Sequence, residues 1–447
     1  MKVRLNKRIL FYTLFAILLL LLLIRYSLQI DISRSLLTII VIVMAVLGDR
    51  NEIVAISMGC IPLHNAIDFF VAMLACALIL VMKNPQKVKI GVPFIFIAFV
   101  AAWELLHCFT FEWDFAALVV SLVPILFIGI YFCTDLKDID YGLIVRTMAF
   151  LSFYMCFLHI LNYIVRADGN LARAFINIRR LGLVTGEDAL FGTEINPNAL
   201  GIINILGMIS LQQLRTMGKN KKVDLLLFFG LLAFGVLTSS RNFFVCLLLM
   251  FILLILAQKG TMLKKLRITS LLIVLVVLAW AVLNWLFPSA LEYYFGRFMV
   301  DDITSGRQQL MLLYNEFLAD HLWVFLFGIG ATDLSHKAVE IYQIANSCPH
   351  NFIQEIVLAW GIPGILMTAF LIFLFIMESK RYGKKKILLN YIPLIIILVK
   401  SLAGQLLTSG YTMLALAFAY ISLCQNFSTT AEQPQEDYKL VKLKTNL

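Results

Sequence analysis

Charged residues are scarce in this sequence. Asp, Glu, Lys and Arg make up 14% of its 447 residues, against about 25% in soluble domains. Hydrophobic side chains make up 61%, and the mean hydropathy is +0.90. That balance excludes an ordinary water-soluble domain and predicts an integral membrane protein with many spans. The eight cysteines form no CxxC pair, and most of them lie inside apolar runs. A disulfide framework or a zinc site is therefore not expected. No Walker-type phosphate loop and no HExxH occur, so the sequence offers no ATP-driven step and no zincin centre. "DID" at 138–140 resembles an Asp-x-Asp metal motif, but Asp135 and Lys137 flank it and it reads as a solvated turn. Asp301 and Asp302 are adjacent, so their side chains need not converge on one ion. Neither a metal nor a cofactor is expected. No internal repeat is visible.

What is present is a succession of apolar runs. Spans are predicted at roughly 8–24, 66–82, 91–109, 115–133, 141–165, 198–214, 223–239, 241–257, 268–287, 361–378, 386–400 and 411–426. The stretch 33–63 is interrupted by "GDRNE" and reads either as two short spans or as a re-entrant hairpin. The fold class is thus an all-α polytopic membrane protein with 12–14 transmembrane helices over residues 1–427, followed by a polar tail at 428–447. The basic N-terminal run is not followed by a small-residue cleavage site, and it reads as an uncleaved first helix. The net charge of +10 would suggest nucleic acid in a soluble protein. In a chain this apolar it reports sidedness instead, and no nucleic-acid partner is expected. The basic loops 83–89, 215–224, 258–267 and 378–386 should face the cytoplasm, which puts both termini inside.

Two long segments, 166–197 and 288–349, are then external. Apolar residues recur over 310–327, interrupted by Asn315, Glu316, Asp320 and His321, which predicts an amphipathic helix on the outer surface. External loops should be poor in arginine, yet Arg166, Arg173, Arg179, Arg180, Arg297 and Arg307 fall there, and Arg241 sits at an outer hinge. Guanidinium binds phosphate oxygens bidentately and keeps its charge. Such a set suits a lipid carrying phosphate or pyrophosphate.

Four segments, in order, resemble the bacterial O-antigen ligase and O-antigen or capsule polymerase superfamily: "INPNALG" (195–201), "TSSRNFFV" (238–245), "SGRQQLM" (305–311) with "FGIG" (327–330) after it, and "PHNFIQEIVLAWGIPGIL" (349–366). The resemblance covers the second half of the chain; the first half matches in hydropathy only. It implies a glycosyltransferase of the bacterial plasma membrane that uses glycans carried on undecaprenyl pyrophosphate. It places an essential arginine at Arg241, a second at Arg307 and a histidine at His350. "FGRF" at 295–298 competes with "SGR" for the second; Arg307 is preferred because the amphipathic helix and "GIG" follow it in the expected order.

At "PHN", Pro349 tolerates a first helical turn. His350 is then near a helix N-terminus, a setting that also favours anions. Its imidazole can take a proton from a sugar hydroxyl near neutral pH, or orient the acceptor instead. Asn351 either hydrogen-bonds a sugar or caps the turn. Gln354, at i+4, shares the His350 face of a helix. Glu194 is the rival base, "NPN" with Asn198 opens a further span, and Arg179 and Arg180 suit carrier binding. His64, Glu104, His107, His159 and Lys400 lie in or near spans and read as structural, Glu104 and Lys400 being close to helix ends where snorkelling is cheap. The expected reaction is metal-independent, inverting polymerisation of lipid-linked repeats at the outer face. Ligation to lipid A core is the alternative acceptor, and a lipid-linked oligosaccharide flippase the alternative class. A chain-length regulator and a separate flippase are the expected protein partners.

Overall fold

A computed structural model describes residues 6–89, 91–110, 115–136, 138–170, 181–182, 196–257, 307–332, 349–380, 388–402 and 410–425, together with Arg267, Ala281, Trp285, Leu334, Lys337, Gln343 and Gly404. Among these residues the chain is mostly helical and has no strand. The helices are α1 (Lys7–Ser27), α2 (Arg34–Leu47), α3 (Arg50–Gly59), α4 (Phe69–Lys83), α5 (Val92–Thr110), α6 (Phe115–Cys133), α7 (Tyr141–Arg166), α8 (Pro197–Thr216), α9 (Lys222–Leu237), α10 (Arg241–Ala257), α11 (Arg307–Asp320), α12 (Leu322–Phe327), α13 (Phe352–Lys380), α14 (Leu388–Leu402) and α15 (Gly410–Cys424). The helix ends agree closely with the apolar runs. The run at 268–287 and the tail at 428–447 lie outside the described residues. Lys7–Ser27, Tyr141–Arg166 and Phe352–Met377 are long and apolar enough to cross a membrane.

Hydrogen bonds and ion pairs between helix ends sort the bundle into two ends. At the first, Arg8 of α1 meets Glu52 of α3 at 3.7 Å, and Asn51 accepts from the Asp140 N–H at 2.9 Å. Lys83, closing α4, donates to the carbonyls of Ala45 and Gly48 at the C-terminus of α2 (3.2 and 2.7 Å), where orphan carbonyls and the helix dipole favour a cation. The Asp224 carboxylate of α9 accepts from Arg146 of α7 at 2.8 and 3.0 Å. At the second end, Asn162 of α7 donates to Tyr26 O in the last turn of α1 (2.7 Å), and Ser35 of α2 meets Asp68 before α4 (2.7 Å). Helices α1, α2, α3 and α4 therefore run alternately up and down, and α7 runs from the first end to the second.

The ambiguous stretch 33–63 resolves on this scheme. Helix α2 runs from the second end to the first. Asp49 and Glu52 form a capping box that starts α3 there. Pro62 follows, and the chain climbs back through i→i−3 turns over 60–68 until Asp68 N–H meets Thr38 Oγ1 at 2.8 Å. The stretch crosses the bundle twice. "DID" is a turn: Asp140 caps α7 by accepting from Leu143 N–H at 3.0 Å, and Asp138 takes φ 65°.

Helix α8 is buried along nearly its whole length, packed among α7, α9, α10 and α14, as an all-round apolar helix must be. Outward faces of other helices keep apolar side chains exposed, including Ile95 (67%), Leu226 (66%), Leu248 (64%) and Leu366 (65%).

The helix predicted over 310–327 is two helices, α11 and α12. The chain leaves helical geometry at His321, whose Nδ1 and backbone N–H both approach Phe317 O at 3.0 Å. Helix α13 is broken as expected at "WGIPG". Pro363 has no N–H for the Ala359 carbonyl, and Gly361 takes φ 63°, ψ −155°. The "FGIG" loop closes this break. Ile329 N–H donates to Leu358 O (2.8 Å) and Gly330 N–H to Ala359 O (2.7 Å). The two chains approach so closely that a Cβ on Gly361 would lie 2.4 Å from Leu326 O, and one on Gly328 (φ 80°) 2.4 Å from Ala359 O.

Gly361→Ala therefore meets both a glycine-only backbone region and a backbone clash, and is expected to cost about 3 kcal/mol or more of stability. Gly169, with φ 78° and nothing within 4 Å of an added Cβ, provides the comparison: Gly169→Ala should cost only about 1 kcal/mol. Thermal unfolding of the detergent-purified protein checks both; equal shifts would mean that the clash relaxes away.

Candidate functional site

Arg241 begins α10, straight after the turn "TSS". Thr238 Oγ1 donates to Gly235 O at 2.6 Å, and Ser239 takes the left-handed φ of 48°. Ser240, fully buried, donates its hydroxyl to Asn198 Oδ1 (2.6 Å) in the first turn of α8. Gly235 and Gly201 leave room for Phe243, whose ring would be struck by a Cβ on Gly235 at 2.1 Å. Close α8–α9–α10 packing thus fixes the backbone from which Arg241 projects. Leu181 docks beside it, donating its N–H to Leu237 O at 2.9 Å. Arg179, Arg180 and Glu194 lie outside the described residues, as do Arg173 and the competing "FGRF".

Arg307 begins α11. That helix is fastened over the start of α13 by Gln354, whose Nε2 donates to Met311 O and to Asn315 Oδ1, each at 2.8 Å. The His350-facing role expected for Gln354 rested on a helix that includes His350. The helix instead starts at Phe352, because Asn351 caps it: Asn351 Oδ1 accepts from Ile353 N–H at 2.9 Å, and Asn351 O accepts from Glu355 N–H at 2.9 Å. Of the two roles weighed for Asn351, the cap is observed. Asn198, Asn351 and Gln354 all bond to protein groups that carry or position the three key residues.

Arg241 and Arg307 lie near enough for their charges to interact, and so do Arg307 and His350. The Arg241 charge acts on Arg307, whose proton affinity is lowered first by burial and then by that neighbour. His350, half-buried, is pushed below the ordinary histidine value first by burial, then by Arg307 and then by Lys400. Lys400 is 4% exposed near the end of α14 and donates to Thr412 Oγ1 at 3.1 Å. The signal that marks it is a charge inside an apolar run, which is costly and often functional.

Like charges gathered in this way repel. Two unit charges about 10 Å apart interact by about 1.7 kcal/mol at an effective dielectric of about 20. The helix dipoles add to the positive potential: α10, α11 and α13 all begin at this site, and neither α10 nor α11 has an acidic residue in its first turn. Such a site favours a multiply charged anion. The neutral imidazole favoured at His350 is the form that accepts a proton.

Glu104, fully buried on α5, holds the loop between α12 and α13 in place. Its carboxylate accepts from Ala331 N–H (2.9 Å), Thr332 N–H (2.6 Å), Thr332 Oγ1 (2.5 Å) and Trp360 Nε1 (2.6 Å). His107 adds a contact from Nε2 to Phe327 O at 2.9 Å. These two residues tie the kink of α13 to "FGIG" and the residues after it. His64 and His159 stay within the bundle, beside Phe69 and Tyr26. Neither the protein-family models nor the curated proteins contain a match to this chain.

Proposed function

We propose that this chain is a polytopic glycosyltransferase of the bacterial plasma membrane that polymerises undecaprenyl-pyrophosphate-linked repeats into a surface polysaccharide. The observation that carries the reading is the convergence of Arg241, Arg307 and His350, from three helix starts far apart in the chain, on one strongly positive site. The resemblance in "TSSRNFFV", "SGRQQLM" and "PHNFIQEIVLAWGIPGIL" names the same three residues.

The alternating helix directions support the upper end of the 12–14 range of spans, with α2 and the α3 segment each crossing once. The first end of the bundle carries Lys7, Arg8, Lys83, Lys87, Lys219 and Lys222 near short connections, and is assigned to the cytoplasm. The site then opens to the outside, where lipid-linked glycans are assembled into polymer. Helix α12 presents Leu322 (65% exposed) and Phe327 (54%), and α11 and α12 lie along the outer leaflet.

In the reaction the acceptor hydroxyl of one lipid-linked repeat attacks the anomeric carbon of another. The bond from that carbon to the pyrophosphate oxygen breaks and configuration inverts. His350 takes the hydroxyl proton. Arg241 and Arg307 hold the pyrophosphate and stabilise the negative charge that grows as it leaves. Asn198, Asn351 and Gln354 position these groups, and Arg179 and Arg180 extend the carrier-binding surface. No ATP is consumed, because the donor pyrophosphate is already a good leaving group.

The test is chain extension by the purified full-length protein in nanodiscs, supplied with lipid-linked repeats and no nucleotide. Polymer growth is expected. Movement of lipid-linked repeats across sealed vesicles with no growth of polymer would replace the enzyme with a transporter. Transfer only to an added lipid A core acceptor would replace polymerisation with ligation.

A further inference from the structure

A lysine buried inside an apolar helix needs a physical reason, and Lys400 is such a group. Its helix, α14, is apolar from Leu388 to Leu402 except at Asn390, Lys400 and Ser401. The Lys400 side chain does not reach out to water: the residue is 4% exposed, with Nζ on Thr412 Oγ1 at 3.1 Å. The turn after the helix is close as well, since a Cβ on Gly404 would lie 3.4 Å from both Cε and Nζ of Lys400. Snorkelling, the bland explanation for a lysine near a span end, is therefore not what this side chain does.

Its neighbours place it. Helix α14 packs along α10, the helix that Arg241 begins. The Lys400 charge acts on Cys246, in the second turn of α10, and on His350 before α13. Lys400 thus sits on a helix packed against the Arg241 helix, within reach of the His350 segment, and on an element separate from those that carry Arg241, Arg307 and His350. Glu355, fully buried in the first turn of α13, is the acidic residue of that segment. An ammonium carries three donors and acts as a compact charge, whereas each guanidinium offers a planar fork. Two forks and one point charge suit a diphosphate, whose oxygens outnumber what two arginines can satisfy.

We propose that Lys400 is a further ligand of the anion site, donating to phosphoryl oxygens of a diphosphate alongside Arg241 and Arg307. This rests on the pyrophosphate reading above and adds a residue to it.

The experiment uses full-length protein in nanodiscs and inorganic pyrophosphate as the probe, with binding followed by calorimetry and by competition with the lipid-linked donor. Lys400→Met should weaken pyrophosphate about ten- to hundredfold, as expected for one charge-assisted hydrogen bond. Lys400→Arg, which keeps the charge, should bind more tightly than Lys400→Met. Thr412→Val, which removes the structural partner and keeps the charge, should bind nearly normally. If Lys400→Met does not fold, Lys400→Gln reads the same quantity. In turnover, KM for the donor should rise more than kcat falls. Wild-type affinity in the folded Met or Gln variant, with Arg241→Gln and Arg307→Gln both weakened, would overturn the role of Lys400 alone. Failure of the wild-type protein to bind pyrophosphate or to lose donor to it would overturn the anion site as a whole.

Discussion

Arg241→Ala and Arg307→Ala are each expected to lower chain extension by about 10²–10³-fold at matched expression, the cost of removing one preorganised donor to a developing anion. Lysine at either position should recover only part of the rate, because an ammonium lacks the bidentate fork. The double variant should fall well short of the product of the two losses, since both side chains hold one leaving group. The protein need not unfold in these variants. Removing one of several mutually repelling cations relieves repulsion, so thermal stability should hold or rise slightly. Normal polymer from both variants would end the proposed mechanism. A working Arg307→Ala beside a dead Arg297→Ala would move the second arginine to "FGRF".

His350→Ala is expected to lose about 10²–10⁴-fold, the usual range for a general base. His350→Gln separates the two roles that the sequence left open. A glutamine can hydrogen-bond an acceptor but cannot take its proton, so a base predicts that it is as inactive as alanine. Recovery to within tenfold would make His350 an orienting group. The pH profile carries an independent sign. Burial, Arg307 and Lys400 all oppose protonation of His350, so its pKa lies below the ordinary value of about 6.5. The base form then predominates at pH 7, and activity should fall as pH drops through that depressed value. Removing a neighbouring cation raises the pKa. The acid limb should therefore move up towards 6.5 in Lys400→Gln, and also in the residual activity of Arg307→Gln. A limb at or above 6.5 in the wild-type protein, or one that moves down in these variants, would contradict the assignment.

Much of the architecture was legible in the residue order. The apolar runs at 115–133 and 241–257 coincide with α6 and α10 to the residue, because the length of an apolar segment is a local property. The break at "WGIPG" was legible for the same reason: a proline without an N–H and glycines free of Cβ act at their own positions. The 33–63 stretch was not legible. Whether a ten-residue helix and a string of turns make one crossing depends on the pairings of Thr38 with Asp68 and of Asn51 with Asp140, each between positions remote in sequence. The polar residues around the site divide in the same way. Asn351 could be read as a cap from its place before an apolar helix. The bonds from Gln354 to Met311 and Asn315, and from Ser240 to Asn198, could not, since each joins elements that only packing brings side by side.

The sequence alone determined that this chain is helical and apolar, where most helices begin and end, and which residue types could hold an anion or take a proton. These follow from burial and backbone chemistry within a turn or two. Only the tertiary structure decided that the starts of α10, α11 and α13 share one end, that "FGIG" mends the break in α13, and that Lys400 is buried against Thr412 rather than turned to water. The physical reason is that charge acts through space. Repulsion among Arg241, Arg307, Lys400 and a protonated His350 depends on how helices distant in the chain pack, and hydrophobic periodicity says where a helix is without saying what stands beside it.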